Sequence, residues 1–459
     1  MTSPLSDSIA EHPFAYATIF KHSAGDSESN MSNASAILND GTWLTVWIQG
    51  SEQGMPDQHL VGATSSNCGA TWSTPFVIQG FNLEKLESIS SGVPFVVPGS
   101  GRVYVFFFVQ WNSLAPHYQR KLDNPNYRIN PIVRKYPEHE SGTLCFVYSD
   151  DQCATWSDRY EIELPQRDIQ AIDDKVHGWL SQPPVALESG VVAMPISMYR
   201  LELMPHRRPF GVEPKLNPSE SSVLIMDNLA TESDPKKLSF QLRPDGDTGI
   251  RLNVASYASS SALNAVMEAY RGDATLHGFN FEDMSLVQLQ DGAWLGVGRT
   301  KVGHACYVVS RDQGESWSEP ETLLDSPGGE PIANSVAACP ITRLSDGRFV
   351  LLSSLNDGFD HGSSHVWDSP HNRSPYYIKV GVQDATSGEN AGLTFGEAVL
   401  LAATDPEADM TNPFKHGISS PQFLEHDGRY FVAYSANNND IVLDEIPVEL
   451  LDQATPTSG

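Results

Sequence analysis

Nine of the 29 Lys and Arg residues fall in two short stretches, residues 117–136 and 200–215, and both stretches carry or adjoin tyrosines. The first holds His117, Arg120, Lys121, Arg128, Arg134 and Lys135 around Tyr118, Tyr127 and Tyr136. The second holds Arg200, Arg207, Arg208 and Lys215 just after Tyr199. Uniform scatter would place about two basic residues in segments of this length, so the clustering has a cause. An arginine fork grips a carboxylate or sulfate through paired N–H donors, and a tyrosine ring stacks on the face of a pyranose. Together they suit an acidic sugar. The alternative is that these stretches pair with the acidic remainder of the surface.

That remainder is extensive: 57 Asp and Glu give the 459-residue chain a formal charge of −28. Such a balance argues against nucleic acid, whose phosphates need a basic face. With 40% hydrophobic residues the chain can bury a substantial core, which excludes wholesale disorder. The longest apolar run, Val103 to Val109, has strand length and falls far short of the roughly 18 residues of a membrane span. Met1-Thr-Ser-Pro-Leu-Ser-Asp-Ser lacks the basic and apolar regions of a signal peptide, which reads as a cytoplasmic chain or one whose export signal has been removed. Cys68, Cys145, Cys153, Cys306 and Cys339 are odd in number and lack CxxC spacing, so they read as free thiols. His117, His139, His177, His206, His361 and His365 form no helical metal-ligand pair, and no resident cofactor is expected. A structural Ca²⁺ is compatible with the acidity, although no EF-hand-like loop is present.

The elements that must position this chemistry come from a repeat. An apolar strand, a glycine turn and a second apolar strand recur at Ala34–Trp47, Val93–Phe106, Pro184–Met194, Ser285–Leu295, Ile341–Leu351 and Gln422–Val432. Four of the six turns contain Asp-Gly, which predicts two-residue hairpins with left-handed backbone. A second unit alternates with the hairpins. Ser310-Arg-Asp-Gln-Gly-Glu-Ser-Trp317 has the form Ser-x-Asp-x-Gly-x-(Ser/Thr)-Trp; Ser149–Trp156 keeps the frame with Cys for Gly, and Ser65–Trp72 with Asn for Asp. A decayed copy is expected between Asp384 and Phe395. In each, the Asp accepts turn N–H groups, the Gly takes positive φ and the Trp packs beneath.

These units resemble the Asp boxes of the sialidase (neuraminidase) superfamily of β-propellers, over roughly residues 12 to 450. The resemblance implies an all-β fold: a six-bladed β-propeller of four-stranded antiparallel blades, radial repetition leaving few exposed edges. The gap between Gly190 and Gly292 could hold a seventh blade, with strands at Ser221–Asp227 and Ser239–Arg243, and Ala262–Arg271 has mild helical character. The N-terminal strand Ala15–Phe20 is expected to close the ring beside the last blade. The whole chain, 1–459, is expected to be one such domain with long face loops at about 112–145 and 198–280.

The resemblance also implies a central depression with three arginines on a substrate carboxylate, a Tyr nucleophile polarised by Glu, and an Asp acid/base. Arg299 ends the strand Trp294-Leu-Gly-Val-Gly-Arg, in the place of the second arginine. Asp283, with Glu282 beside it, sits 16 positions earlier, and a strand-turn-strand of that length returns to the same end of a blade. Arg373 stands for the third arginine, and Asp57, in Gly54-Met-Pro-Asp-Gln-His-Leu, for the acid/base. Two elements are missing. Met31-Ser-Asn-Ala replaces the first-arginine motif, and His416-Gly-Ile-Ser-Ser-Pro-Gln-Phe carries Ser419 and Ser420 but no Tyr.

The leading expectation is an exo-acting glycosidase that removes a terminal acidic sugar from a glycan. Arg299 and Arg373 would bind the anion, helped by Arg200, Tyr199, Arg120 and His117, while Asp57, Asp283 and Glu282 would be the catalytic carboxylates. Without Tyr, two carboxylates would activate water directly, an inverting route. The alternatives are a uronate polysaccharide lyase, using the His117/Tyr118/Arg120 or Tyr199/Arg200 group, and a non-catalytic glycan-binding propeller.

Overall fold

The computed structural model describes residues 9–22, 29–112, 114–124, 126–127, 141–167, 176–199, 219–253, 279–356, 373–384, 388–404 and 417–456. Six antiparallel blades surround an axis. The first runs Ser29–Ile37, Trp43–Gly50, His59–Ser65 and Phe76–Gln79 from the centre outward, and the fourth runs Glu282–Gln288, Trp294–Arg299, Cys306–Ser310 and Glu321–Thr322. The second is built on Glu87–Val96, Val103–Trp111, Ser141–Ser149 and Tyr160–Ile162. In the third the inner strand is split into Val176–Trp179 and Val185–Ala186, followed by Val192–Tyr199, Ser219–Met226 and Gln241–Arg243. Val176 and His177 also pair with Ser141–Gly142 of the second blade, which merges the two into one sheet of nine strands. The segments at Ser221 and Ser239 therefore complete the third blade rather than open a seventh.

Ring closure uses the N-terminus. Ala15–Phe20 is the outer strand of the sixth blade, pairing Asp440–Ile446 outside Arg429–Ala436 and the inner strand Ile418–His426. Ile9–Glu11 pairs Val399–Thr404 of the fifth blade, so one segment stitches two neighbours. The fifth blade is completed by Ile341–Arg343, Phe349–Ser353, Tyr376–Gln383 and Leu393–Phe395. Two short helices accompany the strands among the described residues: Ala115–Asp123, within the long second-blade insertion, and Val448–Ala454. None is long and apolar enough to cross a membrane.

The apolar core lies in the seams between blades. Trp43, Trp47 and Val61 of the first blade pack on Phe431, Ala433 and Leu443 of the sixth, with the Trp43 and Phe431 rings edge to face at 5.0 Å. Similar clusters join the third to the fourth blade, the fourth to the fifth and the fifth to the sixth. A blade has two apolar faces, so it is stable only between neighbours.

The hairpin turns correct the sequence reading in one respect. Only Asp427-Gly428 is a two-residue turn with both residues left-handed (φ 50° and 72°), between paired His426 and Arg429. At Leu38–Thr42, Leu289–Ala293 and Leu344–Arg348 the loop has three residues and only its last, the Gly, has positive φ. There Asp occupies an ordinary turn position while Gly forms the bulge that restores strand twist.

The three Ser-x-Asp-type turns share one hydrogen-bond plan at the outer strands. In Ser310–Trp317, the Ser310 hydroxyl donates to Asp312 (2.9 Å) and accepts from Gly314 N (2.8 Å), Ser316 N donates to Asp312 (2.9 Å), and the Trp317 indole donates to Gly314 O (3.1 Å). Ser65–Trp72 repeats it with Asn67. Ser149–Trp156 keeps all but the last bond: with Cys153 at φ 70° the buried Trp156 indole N–H has no hydrogen-bond partner among the described residues. Residues 385–387 of the suspected fourth copy lie outside the described residues.

Candidate functional site

The end of each blade where inner strands begin and second strands finish is rich in buried polar side chains, among them Asn30, Asn33, Ser88, Asn112, Ser197, Ser219, Glu282, Asp283, Ser353 and Asn437. Three inner strands open there with a left-handed residue at a bulge. Ser32, Asp283 and Ser420 have φ of 54°, 49° and 49°, at register shifts between Met31 and Ala34, Glu282 and Ser285, and Ser419 and Gln422. Left-handed backbone is uncommon outside glycine, and a bulge re-aims side chains that would otherwise alternate between the two blade faces.

Arg299 and Glu282 are directly paired across the fourth-blade hairpin. The guanidinium engages both carboxylates: Nε and Nη2 lie 3.0 and 2.9 Å from Glu282 Oε2, and Nη1 lies 3.0 Å from Asp283 Oδ2. The neighbouring third blade holds the two acidic residues from behind. The Trp179 indole donates to Asp283 Oδ1 (2.5 Å) and the Ser197 hydroxyl accepts from Asp283 N (2.9 Å), while the Ser219 hydroxyl donates to Glu282 Oε1 (2.5 Å). Lys301 Nζ stands 3.8 Å from the same Oε1.

These contacts set the charges. Burial would raise Glu282, but Arg299, Lys301 and Ser219 hold it below the usual carboxylate range. Burial would lower Arg299, and Asp283 and Glu282 more than offset that. Lys301 is pushed down to about 8 by burial, against the pull of Glu282.

Arg373 reaches the same place from the fifth blade. Its Nε donates to Val336 O at 3.1 Å, the carbonyl that Arg299 Nη1 approaches at 3.5 Å. Arg373 has no ion pair among the described residues, and it is partly exposed. Desolvation, reinforced by Arg299, lowers it to about 10, so it is still cationic at neutral pH. A cation held beside another cation, with no carboxylate of its own among the described residues, is the local condition for an anion site.

Asp57 lies in the Ser51–Gln58 turn that links the second and third strands of the first blade, hence at the same end of the propeller as Arg299. Its carboxylate accepts from Ser51 N and Oγ (both 2.9 Å) and from the Tyr118 hydroxyl (2.8 Å). Tyr118 sits on the helix Ala115–Asp123, and burial followed by the bond to Asp57 pushes it up to about 12. His117 Nδ1 and the Tyr127 hydroxyl are 2.9 Å apart. Arg120 is exposed in the last turn of that helix, where its charge complements the helix dipole. Arg200, the Tyr199 side chain and the basic residues at 128–140 and 200–218 lie outside the described residues.

No family model matches the chain. A curated sialidase from Clostridium perfringens is 23% identical over 165 residues, which cover 35% of this chain and 39% of that protein's length. Among solved structures, a protein of unknown function from Dyadobacter fermentans superposes with a TM-score of 0.56 at 13% identity, over 95% of this chain and 99% of that one. The NanB sialidase from Streptococcus pneumoniae gives 0.56 at 13%, over 97% and 72%. A leech intramolecular trans-sialidase gives 0.55 at 12%, over 95% and 71%. The chain is a divergent sialidase-like propeller. At these identities the likeness is one of fold.

Within this sialidase-like propeller, sequence reasoning singled out Arg299, Glu282, Asp283, Arg373 and Asp57. The structure joins the first four through direct contacts and the Val336 carbonyl. Asp57 is held separately, by Ser51 and Tyr118. Lys301, Trp179, Ser197 and Ser219 were missed. Lys301 had a signal, since it follows Arg299 by two residues and side chains two apart on extended backbone share a face. Trp179 and Ser219 had none, because each follows a stretch without a recognisable repeat. Among the described residues no group of three or more His, Cys, Asp or Glu is arranged to hold a metal ion.

Proposed function

We propose that this protein acts on an acidic glycan, with Arg299 and Arg373 gripping the carboxylate of a terminal sugar and a pair of carboxylates hydrolysing its glycosidic bond. The observation that carries the reading is Arg373: a cation beside Arg299, bonded to the same Val336 carbonyl and lacking a described counter-ion. A substrate carboxylate supplies that missing charge, through the forked geometry that arginine favours. Asp57 is proposed as general acid/base. Asp283 or Glu282 is proposed as the second carboxylate: the oxygens of Asp283 engage Trp179 and Arg299, and those of Glu282 engage Arg299, Ser219 and Lys301. The outer Ser-x-Asp-type turns are proposed to be Asp boxes.

Ser419 and Ser420 stand where a Tyr nucleophile is expected, so attack falls to water. An inverting mechanism of this kind needs roughly 6.5–9.5 Å between the carboxylates. One observation favours elimination instead: the Tyr118–Asp57 bond could move a proton next to a uronate held by arginine. Incubation with a panel of sialosides, glucuronides and ulvan-type polymers separates the readings. A reducing sugar supports hydrolysis, and a product absorbing in the near ultraviolet supports elimination. Binding without turnover leaves a glycan-binding propeller. For hydrolysis, Asp57→Asn should lower kcat by roughly 10²–10⁴-fold with the fold retained. Wild-type turnover in both Asp57→Asn and Asp283→Asn would remove the assignment.

A further inference from the structure

Arg299 poses a difficulty for any anion site. Its guanidinium already faces two carboxylates, so with Arg373 the four groups sum to zero and offer a ligand anion no net attraction. Lys301 alters that balance. It is buried behind Glu282, with its backbone N–H on Asn280 Oδ1 (3.1 Å) and its ammonium 3.8 Å from Oε1, the oxygen that Arg299 leaves to Ser219. Glu282 is therefore divided, one oxygen on Arg299 and the other toward Lys301.

We infer that Lys301 is a positioning residue whose charge, acting through Glu282, leaves Arg299 and Arg373 with the net positive charge that attracts a carboxylate. It makes no contact with the ligand. This rests on the anion-binding reading above and adds that the affinity is gated by one proton.

The surrounding groups support such a gate. Glu282 and Asp283 face Lys301 and Arg299 from the inner strand, and Arg373 and Tyr376 face Arg299 from the fifth blade. Tyr376 is raised by burial and donates to Ala338 O, and Cys339, near Asp283, is raised by burial too, so both stay neutral. Glu220, beside Ser219, acts on Arg167 within the third blade. Burial pushes Lys301 down to about 8 and Arg373 only to about 10, so Lys301 is the first of these cations to lose its proton as pH rises. Among the described residues the cluster is thus +1 below pH 8 and neutral above it, and carboxylate affinity falls as pH rises through that value.

The test is calorimetric titration of the full chain with 3′-sialyllactose and with glucuronic acid, each beside its neutral methyl ester, at pH 7 and pH 9. Carboxylate affinity should drop about tenfold between the two pH values, the scale of one unit charge some ten ångström away at an effective dielectric of about 20. Ester affinity should not change. Lys301→Arg should abolish the drop, and Lys301→Met should be weak at both pH values. If Arg373→Gln loses binding while the wild type shows no drop, or Lys301→Met binds as wild type, the gate is overturned and the anion site stands. If neither carboxylate binds the wild type, or Arg373→Gln binds normally, the anion site fails and the gate with it. Should Lys301→Met not fold, the wild-type pH comparison decides alone.

Discussion

The outer turns and the axial cluster both hold carboxylates in full hydrogen-bond networks, yet they are built in opposite ways. In Ser310–Trp317 the bonds that hold Ser310, Asp312 and the Trp317 indole span two to four residues. In the cluster, Asp283 meets Trp179 across 104 positions and Ser197 across 86, and Glu282 meets Ser219 across 63. Asp151 in the second outer turn is held down at about 2, chiefly by the Thr155 hydroxyl and N–H, while open to solvent. Glu282 is held down by cations within a buried site. Short-range donors suffice where water remains to solvate the charge. Where water is excluded, only counter-charges from other strands offset desolvation.

This contrast can be broken most forcefully at Arg299. Arg299→Met leaves two buried carboxylates without their shared cation and should cost about 3–5 kcal/mol in urea unfolding. A loss within the range of an ordinary surface substitution would mean that the cluster is wetter than its burial implies. At the rim the vulnerable point is the backbone. Gly69 has φ 78°, and a Cβ there would come within 2.5 Å of Leu443 Cδ2, so Gly69→Ala should destabilise by about 1–2 kcal/mol without affecting ligand binding. Arg373→Gln is expected to change stability least. It removes a cation with no described ion-pair partner, so Tm should stay level or rise while carboxylate binding is lost. A large fall in Tm would show that Arg373 has a structural counter-ion.

The two regions also differed in how far they could be read from the chain. Ser310–Trp317 and its relatives announced their own geometry, because each partner lies within one turn. Of the axial cluster, the contact of Arg299 with Glu282 and Asp283 was legible, since a single hairpin returns the chain to its starting level. Arg373 could be nominated by position, but its bond to Val336 O could not, because that carbonyl lies in a loop with no pattern of its own. The Asp-Gly turns show the limit from the other side. The dipeptide marked the four hairpin turns that carry it, while loop length, two residues or three, was decided by strand twist and pairing.

The sequence by itself determined a ring of antiparallel blades, the level at which each turn falls, and the pairing of one arginine with the carboxylates of its own hairpin. Only the tertiary structure decided that Ile9–Glu11 adds to the fifth blade, that Trp179 and Ser219 steady the acids, and that Lys301 stands behind Glu282 while Arg373 shares a carbonyl with Arg299. The physical reason is reach. Turn chemistry acts over a few residues of backbone, whereas the charge balance of a buried site is fixed by whichever side chains ring closure brings within a few ångström.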